Sequence, residues 1–462
     1  MKTLKQLNVQ LLINEFNAKI IYGNESETLE NFSKDTREIK ENDVYVGIKG
    51  ENFDGNLFYE DAFNKGAKIA ILEKKSIDED NIKKYDNKTV ILVDNSIELL
   101  QKLANYKIKN SNVKVVAVTG SVGKTSTKDI VYNTIKTKYR VIKTEGNLNN
   151  HLGLPLTILR LKDEEVIVLE MGMNHFNEIS ILSKIAMPDI AIITNIGTAH
   201  IGNLGSRENI LKAKLEILDG MNNGTLIINN DNDLLHEHLD EIKKKTNVIT
   251  VGIDNKSNYN ATNIVDNVFS SEFKINNNDF KINVGGKPFI YNSLVSYAVG
   301  KLLNIDDKDI IKGIKEFKLS NNRMELININ GYTLINDTYN ASYDSVIAAI
   351  DLVSKSNYKR KILILGDILE LGEFSSKIHE EIGKYIINKN ITSVILIGNE
   401  VNNIKKILEN NKFNEIYSFK SEELSYNFLD EYLSKDDIVL IKGSHGMNLI
   451  NIVNYLKTSK SE

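Results

Sequence analysis

The sequence predicts an α/β protein of three domains: a small N-terminal α/β domain, a central P-loop domain on a mostly parallel sheet, and a C-terminal Rossmann-like domain. Three observations carry this expectation. Short apolar runs alternate with helical-period segments along the chain. A strand, a glycine-rich turn and a helix follow one another around Gly120. The last third then holds ILILGD, SVILIGN, EIYSF and DIVLIKG, each followed by an amphipathic segment, which is the doubly wound pattern. The 462 residues fit three units of ordinary domain size. The expected boundaries are residues 1–110, 111–320 and 321–462.

In the first unit, apolar runs at Val44–Ile48, Ile69–Leu72 and Val90–Val93 read as strands. A helical pattern lies over Leu57–Phe63, and a helix from Ile97 to about Lys109 closes the unit. The second unit opens on VKVVAVTG, a buried strand, and continues with Ile130, Val131 and Ile135 at helical spacing. Val166–Met171 and Ile190–Thr194 extend a parallel sheet, and the alternation over Phe269–Val284 predicts antiparallel strands at one edge. In the third unit no GxGxxG opens the pattern, which argues against a dinucleotide and for a domain that walls a shared cleft.

Composition bounds the function. Hydrophobic residues make up 41% and charged residues 26%, the balance of a folded globular chain. A net charge of -4 leaves no positive field for a nucleic-acid backbone, so no nucleic-acid partner is expected. There is no cysteine, which excludes disulfides and thiolate zinc sites and suits a reducing, cytoplasmic compartment. MKTLKQLNVQ has no apolar core of a signal peptide, and no run approaches the roughly 18 apolar residues of a span, so no membrane insertion is expected. The excess of Asn, Lys and Ile is spread evenly and reads as compositional bias; no fixed-period repeat is present.

The chemistry concentrates at Thr119-Gly120-Ser121-Val122-Gly123-Lys124-Thr125. Small residues there let backbone N–H groups curl around phosphate oxygens, Lys124 adds a point charge, and the Thr125 hydroxyl at the helix start suits Mg²⁺. Strict Walker spacing would place glycine at 118, where this chain has Val118. The alternative is a glycine-rich turn without a ligand. A phosphate-bound Mg²⁺ needs further hard oxygens, and Glu170 ends the apolar strand VIVLE at the same sheet edge. His200, after ITNIGTA, is a second candidate, although a lone histidine is more often a packed or surface residue.

Longer pieces carry a resemblance. TGSVGKTSTKD, EGNLNNHLGLPLTIL, VLEMGMNHFNEI and TNIGTAHIGNLGSRENILKAKLEIL, with KDTREIKENDVYVGIKGENFDG upstream and NDTYNASYDSVIAAI, LILGDILELGEFS and IKGSHGM downstream, resemble the Mur ligase family over essentially the whole chain. The resemblance implies an ATP-dependent ligase that adds D-alanyl-D-alanine to UDP-N-acetylmuramoyl-tripeptide through an acyl phosphate, releasing ADP and phosphate. It implies ATP and two Mg²⁺ ions as cofactors and a monomer as the working state.

Residue by residue, it implies that Gly120, Ser121, Val122, Gly123, Lys124, Thr125 and Ser126 hold the ATP phosphates. Thr125 and Glu170 would hold one Mg²⁺, and His200 with a carbamylated Lys214 a second; the plain reading of Lys214 is a lysine in an ion pair. Asn292 matches an adenine-contacting asparagine, although Pro288 and Phe289 replace the usual His-Asn pair before it. Arg323, Asp337 and Asn340 match residues that reach the nucleotide from the C-terminal domain. Thr36, Arg37, Lys49, Gly50, Phe53, Asp54 and Gly55 fall in the uridine-gripping region, and Asn147 and Asn150 on the substrate side. His445 stands where arginine is common and receives no role.

Three rivals remain at this level. The family member that adds the third amino acid uses an Asp-Asn-Pro-Arg motif, where this chain reads GDILELGEF. Folylpolyglutamate synthetases share the central and C-terminal design without the first domain. A P-loop switch protein would bind a partner protein in place of small substrates.

Overall fold

The computed structural model describes residues 6–319 and 322–458. The expected boundary at 320/321 and the first five residues of MKTLKQLNVQ lie outside them. Among the described residues the strands form three sheets, one per expected domain.

The first sheet contains β1 (Lys19–Tyr22), β2 (Phe32–Ser33), β3 (Val44–Val46), β4 (Ile69–Glu73) and β5 (Thr89–Val93) in the order β1-β5-β4-β3-β2. Only β1 runs antiparallel, against β5. The helical pattern at Leu57–Phe63 resolves into a 3-10 turn, Gly55–Phe58, capped by the Asp54 carboxylate, and an α-helix, Tyr59–Asn64.

Helix Ser96–Lys109 joins this unit to the next. The Asn95 side chain caps its start by accepting from the Glu98 N–H, and Leu99, Leu100, Leu103, Ala104 and Ile108 fall on one buried face. That face packs on helices Gly153–Leu159 and Glu178–Ala186 of the second domain. Burying one such leucine is worth about 2 kcal/mol, so the first two domains are joined through apolar packing as well as through the chain.

The central sheet has nine strands: β6 (Lys114–Thr119), β7 (Val141–Lys143), β8 (Val166–Glu170), β9 (Ile190–Ile193), β10 (Thr225–Asn229), β11 (Asn247–Gly252), β12 (Tyr259–Asp266), β13 (Ser271–Ile275) and β14 (Asn278–Ile282). Their order is β14-β13-β12-β11-β10-β9-β6-β8-β7. It is parallel up to β12, and the hairpin β13–β14 adds the expected antiparallel edge. After β6 the chain goes first to β7 and β8 on one side and then to β9 on the other. The crevice at the C-terminal end of β6 is therefore the switch point where such sheets bind ligands.

The third sheet orders β15 (Glu325–Ile329), β16 (Tyr332–Asp337), β17 (Arg360–Gly366), β18 (Ser393–Ile397), β19 (Glu415–Phe419) and β20 (Asp437–Lys442) as β15-β16-β20-β17-β18-β19. All are parallel except β15, which forms a hairpin with β16. No helix among the described residues is long and apolar enough to cross a membrane.

Candidate active site

The loop after β6 is shaped by its neighbours. Gly120 has φ +148°, and a Cβ there would sit 1.9 Å from Thr194 Oγ1, so only glycine fits. Gly123, at φ +84°, turns the chain into helix Lys124–Lys136. The segment after β9 pins the loop: Asn195 Oδ1 accepts from the Val122 N–H at 2.9 Å, Thr194 Oγ1 donates to the Val122 carbonyl at 2.6 Å, and Ser121 Oγ accepts from Gly197 N–H at 2.9 Å. Asn195 was not singled out from the sequence. Its partners are backbone atoms of a loop more than 70 residues earlier in the chain, which no local pattern announces.

Glu170 ends β8 beside this loop, 4% exposed. Its Oε2 accepts from Thr125 Oγ1 at 2.9 Å, its Oε1 from Asn149 Nδ2 at 2.9 Å, and Lys128 Nζ lies 3.7 Å away. Lys128 and Asn149 are thus further members of the site; of the expected asparagines, Asn150 lines the same cavity while its side chain caps Leu152 and Gly153. Asn147 is not among the lining residues. Lys124 Nζ donates to the Gly120 carbonyl at 2.8 Å. Burial lowers its pKa, and Arg323 adds to that while Glu170 opposes it.

His200 follows β9 in left-handed backbone, φ 64°. Burial, then the Lys124 charge, holds its pKa below the usual histidine value, against the pull of Glu370. Lys214 lies on helix Arg207–Leu215 and is 1% exposed. Burial, reinforced by Lys124, pushes its pKa well below the lysine range. Among the described residues Lys214 has no carboxylate partner, so the plain ion-pair reading has no support here.

The C-terminal domain completes the site. Arg323 stacks over the Tyr339 ring at 3.8 Å and donates to Thr125 Oγ1 at 3.1 Å. Asp337 is held by the buried Lys442 ammonium and accepts from the Met324 N–H. Lys442 also donates to the Asn340 carbonyl, which fixes the turn after β16. Lys442→Met would leave the Asp337 carboxylate without its counter-charge; we expect a loss of about 3 kcal/mol in C-terminal domain stability, read by urea unfolding.

These groups surround one cavity of about 950 Å³. Ser121 to Ser126, Asn150, Glu170, His200, Asn292, Arg323, Asp337 and Asn340 line it, with the unassigned His445. Gly120 lies behind the loop it shapes, and Lys214 is not on the wall. Asn292 is fixed by Thr127 Oγ1, which donates to its Oδ1 at 2.8 Å. The residues expected to meet the uridine nucleotide lie elsewhere, in the first domain: Lys49 pairs with Asp54 across a tight turn, Gly50 N–H donates to the Phe53 carbonyl at 2.9 Å, and Gly55 packs on the Ile48 carbonyl. Thr36 and Arg37 sit in the turn after β2, Arg37 bonded to Asp35 at 2.6 Å, and Phe53 is 66% exposed.

Among the described residues no cluster of three or more His, Asp or Glu side chains could hold a metal alone. Thr125 and Glu170, two hard oxygens 2.9 Å apart at a phosphate-loop helix, nevertheless fit Mg²⁺, which keeps waters and takes substrate phosphates as ligands. His200 feels the Lys214 charge through space, so the two candidate groups for a second cation lie in the same part of the site.

Models of the Mur ligase middle domain, the Mur ligase glutamate ligase domain and the Mur ligase family catalytic domain match residues 118–300, 322–445 and 29–108. The chain is also 37% identical over 439 residues to UDP-N-acetylmuramoyl-tripeptide--D-alanyl-D-alanine ligase of Bacillus subtilis, covering 94% of each protein. The chain belongs to the Mur ligase family. The corresponding ligase of Rickettsia prowazekii is 35% identical to this Mur ligase, over 91% of it and 93% of the relative. Among solved structures, MurF from Acinetobacter baumannii superposes with a TM-score of 0.87 at 25% identity, covering 98% of this chain and 99% of that one. MurF from Thermotoga maritima in complex with ADP gives 0.79 at 29% identity over 93% and 97%. A folylpolyglutamate synthase from Mycobacterium tuberculosis shares the Mur ligase fold at 12% identity, over 78% of this chain.

Proposed function

We propose that this Mur ligase uses ATP to join D-alanyl-D-alanine to the terminal carboxylate of UDP-N-acetylmuramoyl-tripeptide, the cytoplasmic step that completes the pentapeptide of the peptidoglycan precursor. The observation that carries the reading is the single cavity in which the loop Ser121–Thr125, Glu170 and His200 from the central sheet meet Arg323, Asp337 and Asn340 from the C-terminal domain. Relatives 37% and 35% identical over more than nine tenths of their length, named for ligation of these substrates, support the choice.

A carboxylate is a poor electrophile, so it must first be activated. Its oxygen attacks the γ-phosphorus of ATP, the bond to the β-phosphate oxygen breaks, and ADP leaves an acyl phosphate. The amine of D-alanyl-D-alanine then attacks the acyl carbon and loses a proton, and phosphate departs. The loop N–H groups and Lys124 stabilise charge on the transferring phosphoryl group. Asn292 supports the adenine side, and Arg323, Asp337 and Asn340 hold the nucleotide from the opposite wall, excluding water from the acyl phosphate. Mg²⁺ held by Thr125 and Glu170, and a second ion at His200 and carbamylated Lys214, would neutralise the approaching anions when bound.

We assign residues 1–110 to the uridine nucleotide, through Thr36, Arg37, Lys49, Gly50, Phe53, Asp54 and Gly55, residues 111–320 to ATP, and residues 321–462 to closure over it. Asn147 and Asn150 are assigned to the substrate side. The working unit is a monomer on small-molecule substrates. ADP release should require both the uridine-linked tripeptide and D-alanyl-D-alanine; ADP formed equally fast without the dipeptide would point to the switch-ATPase alternative. Running the assay with diaminopimelate-ended and lysine-ended tripeptides identifies the acceptor.

A further inference from the structure

The loop after β9 is gripped by the C-terminal domain at two places. Asp344, at the start of helix Tyr343–Ser354, accepts from the Thr198 N–H at 3.0 Å, and a Cβ on Gly197 would lie 2.2 Å from its Oδ2. On the other side Glu370, from the GDILELGEF turn after β17, brings Oε2 to 2.9 Å from His200 Nδ1. That ring nitrogen is buried and has no other partner among the described residues, although its N–H is not aimed squarely at the oxygen.

The contact is built by backbone against backbone. Helix Ile201–Leu204 packs on the turn so closely that a Cβ on Gly202 would lie 2.7 Å from the Glu370 carbonyl and 2.9 Å from Gly372 N. Glu370 itself has φ 64°, as His200 does. Non-glycine residues in left-handed backbone cost free energy and persist where the surroundings fix them. Two such residues therefore face each other across a domain boundary, an imidazole nitrogen of one against a carboxylate oxygen of the other.

An imidazole bound to a cation offers one nitrogen, and the proton on the other is held by an acceptor that fixes the ring. We propose that Glu370 is the positioning residue for His200: its carboxylate takes the Nδ1–H, leaves the Nε2 lone pair for a divalent cation, and does so only when the C-terminal domain is docked. This rests on the reading of His200 as a cation ligand. It makes cation binding and docking reciprocal, since each stabilises the state that favours the other.

The test titrates the full chain with Mn²⁺ in bicarbonate buffer with a nonhydrolysable ATP analogue, reading free Mn²⁺ by electron paramagnetic resonance. Glu370→Ala should weaken the second Mn²⁺ by about 10-fold or more and leave the first unchanged. Glu370→Gln, whose amide oxygen still accepts, should recover most of that affinity. Gly202→Ala keeps both side chains but obstructs docking, and should weaken the second ion too; full affinity in that variant would overturn the docking dependence. Second-ion affinity lost in His200→Ala yet unchanged in Glu370→Ala would overturn the proposal. Second-ion affinity kept in His200→Ala would instead overturn the ligand reading itself. Thermal melting of each variant confirms that folded protein is compared.

Discussion

Turnover by Lys124→Ala should fall by on the order of 10³-fold, about 4 kcal/mol of transition-state stabilisation, while the fold is kept. The cation sits half-buried in the glycine-shaped loop on the cavity wall, where phosphoryl oxygens would gather and little water would remain to replace its charge. The fold should hold because Glu170 retains Thr125, Asn149 and Lys128 as partners, and because burial already disfavours the Lys124 ammonium, a cost that alanine does not carry. Steady-state ADP release, with circular dichroism melting as the control, reads both effects. Turnover within tenfold of the parent protein would remove Lys124 from the chemistry.

Lys214→Ala should be the second large effect. A buried amine whose pKa is pushed down by burial, and which has no carboxylate partner among the described residues, gives up its proton more readily than a free lysine. Its nitrogen can then bond to the carbon of carbon dioxide and lose a proton, turning a cation site into an anion site. Removing that anion should cost at least about 100-fold in activity. Formate, acetate or propionate should restore part of it by placing a carboxylate in the vacated space. ¹³C-bicarbonate should give a carbamate resonance in the parent protein that is missing from the variant. Full activity in Lys214→Ala, without added carboxylate, would end the carbamate proposal.

Much of this site was legible in the sequence because its parts are local. A strand ending in glycine and running into Lys124-Thr125 states both a backbone shape and a charge. Glu170 stands out because a lone carboxylate ends a five-residue strand buried throughout. The β13–β14 hairpin showed in its alternation. What was not legible depends on pairing across space. Asn195, Lys128, Asp344 and Glu370 are residue types that recur throughout the chain, and each gains its role from a partner far away in sequence, on another loop, strand or domain. The four-residue β1 was equally hidden, since KIIY has no pattern long enough to separate strand from loop. The resemblance to Mur ligases supplied Arg323 and Asp337, whose neighbours in sequence say nothing of a nucleotide.

Helix Ser96–Lys109 has a consequence for dissection of the protein. Its leucines are shared property of two domains, and the Lys107 ammonium, half of the way to neutral at about pH 8 through burial, donates to the Leu159 carbonyl at 2.7 Å across the same seam. A fragment begun at Lys114 would carry the bared flanks of Gly153–Leu159 and Glu178–Ala186 into water and would tend to self-associate. Cutting before Asn95 keeps that seam sealed, so the ATP-binding half is best isolated with the helix still attached.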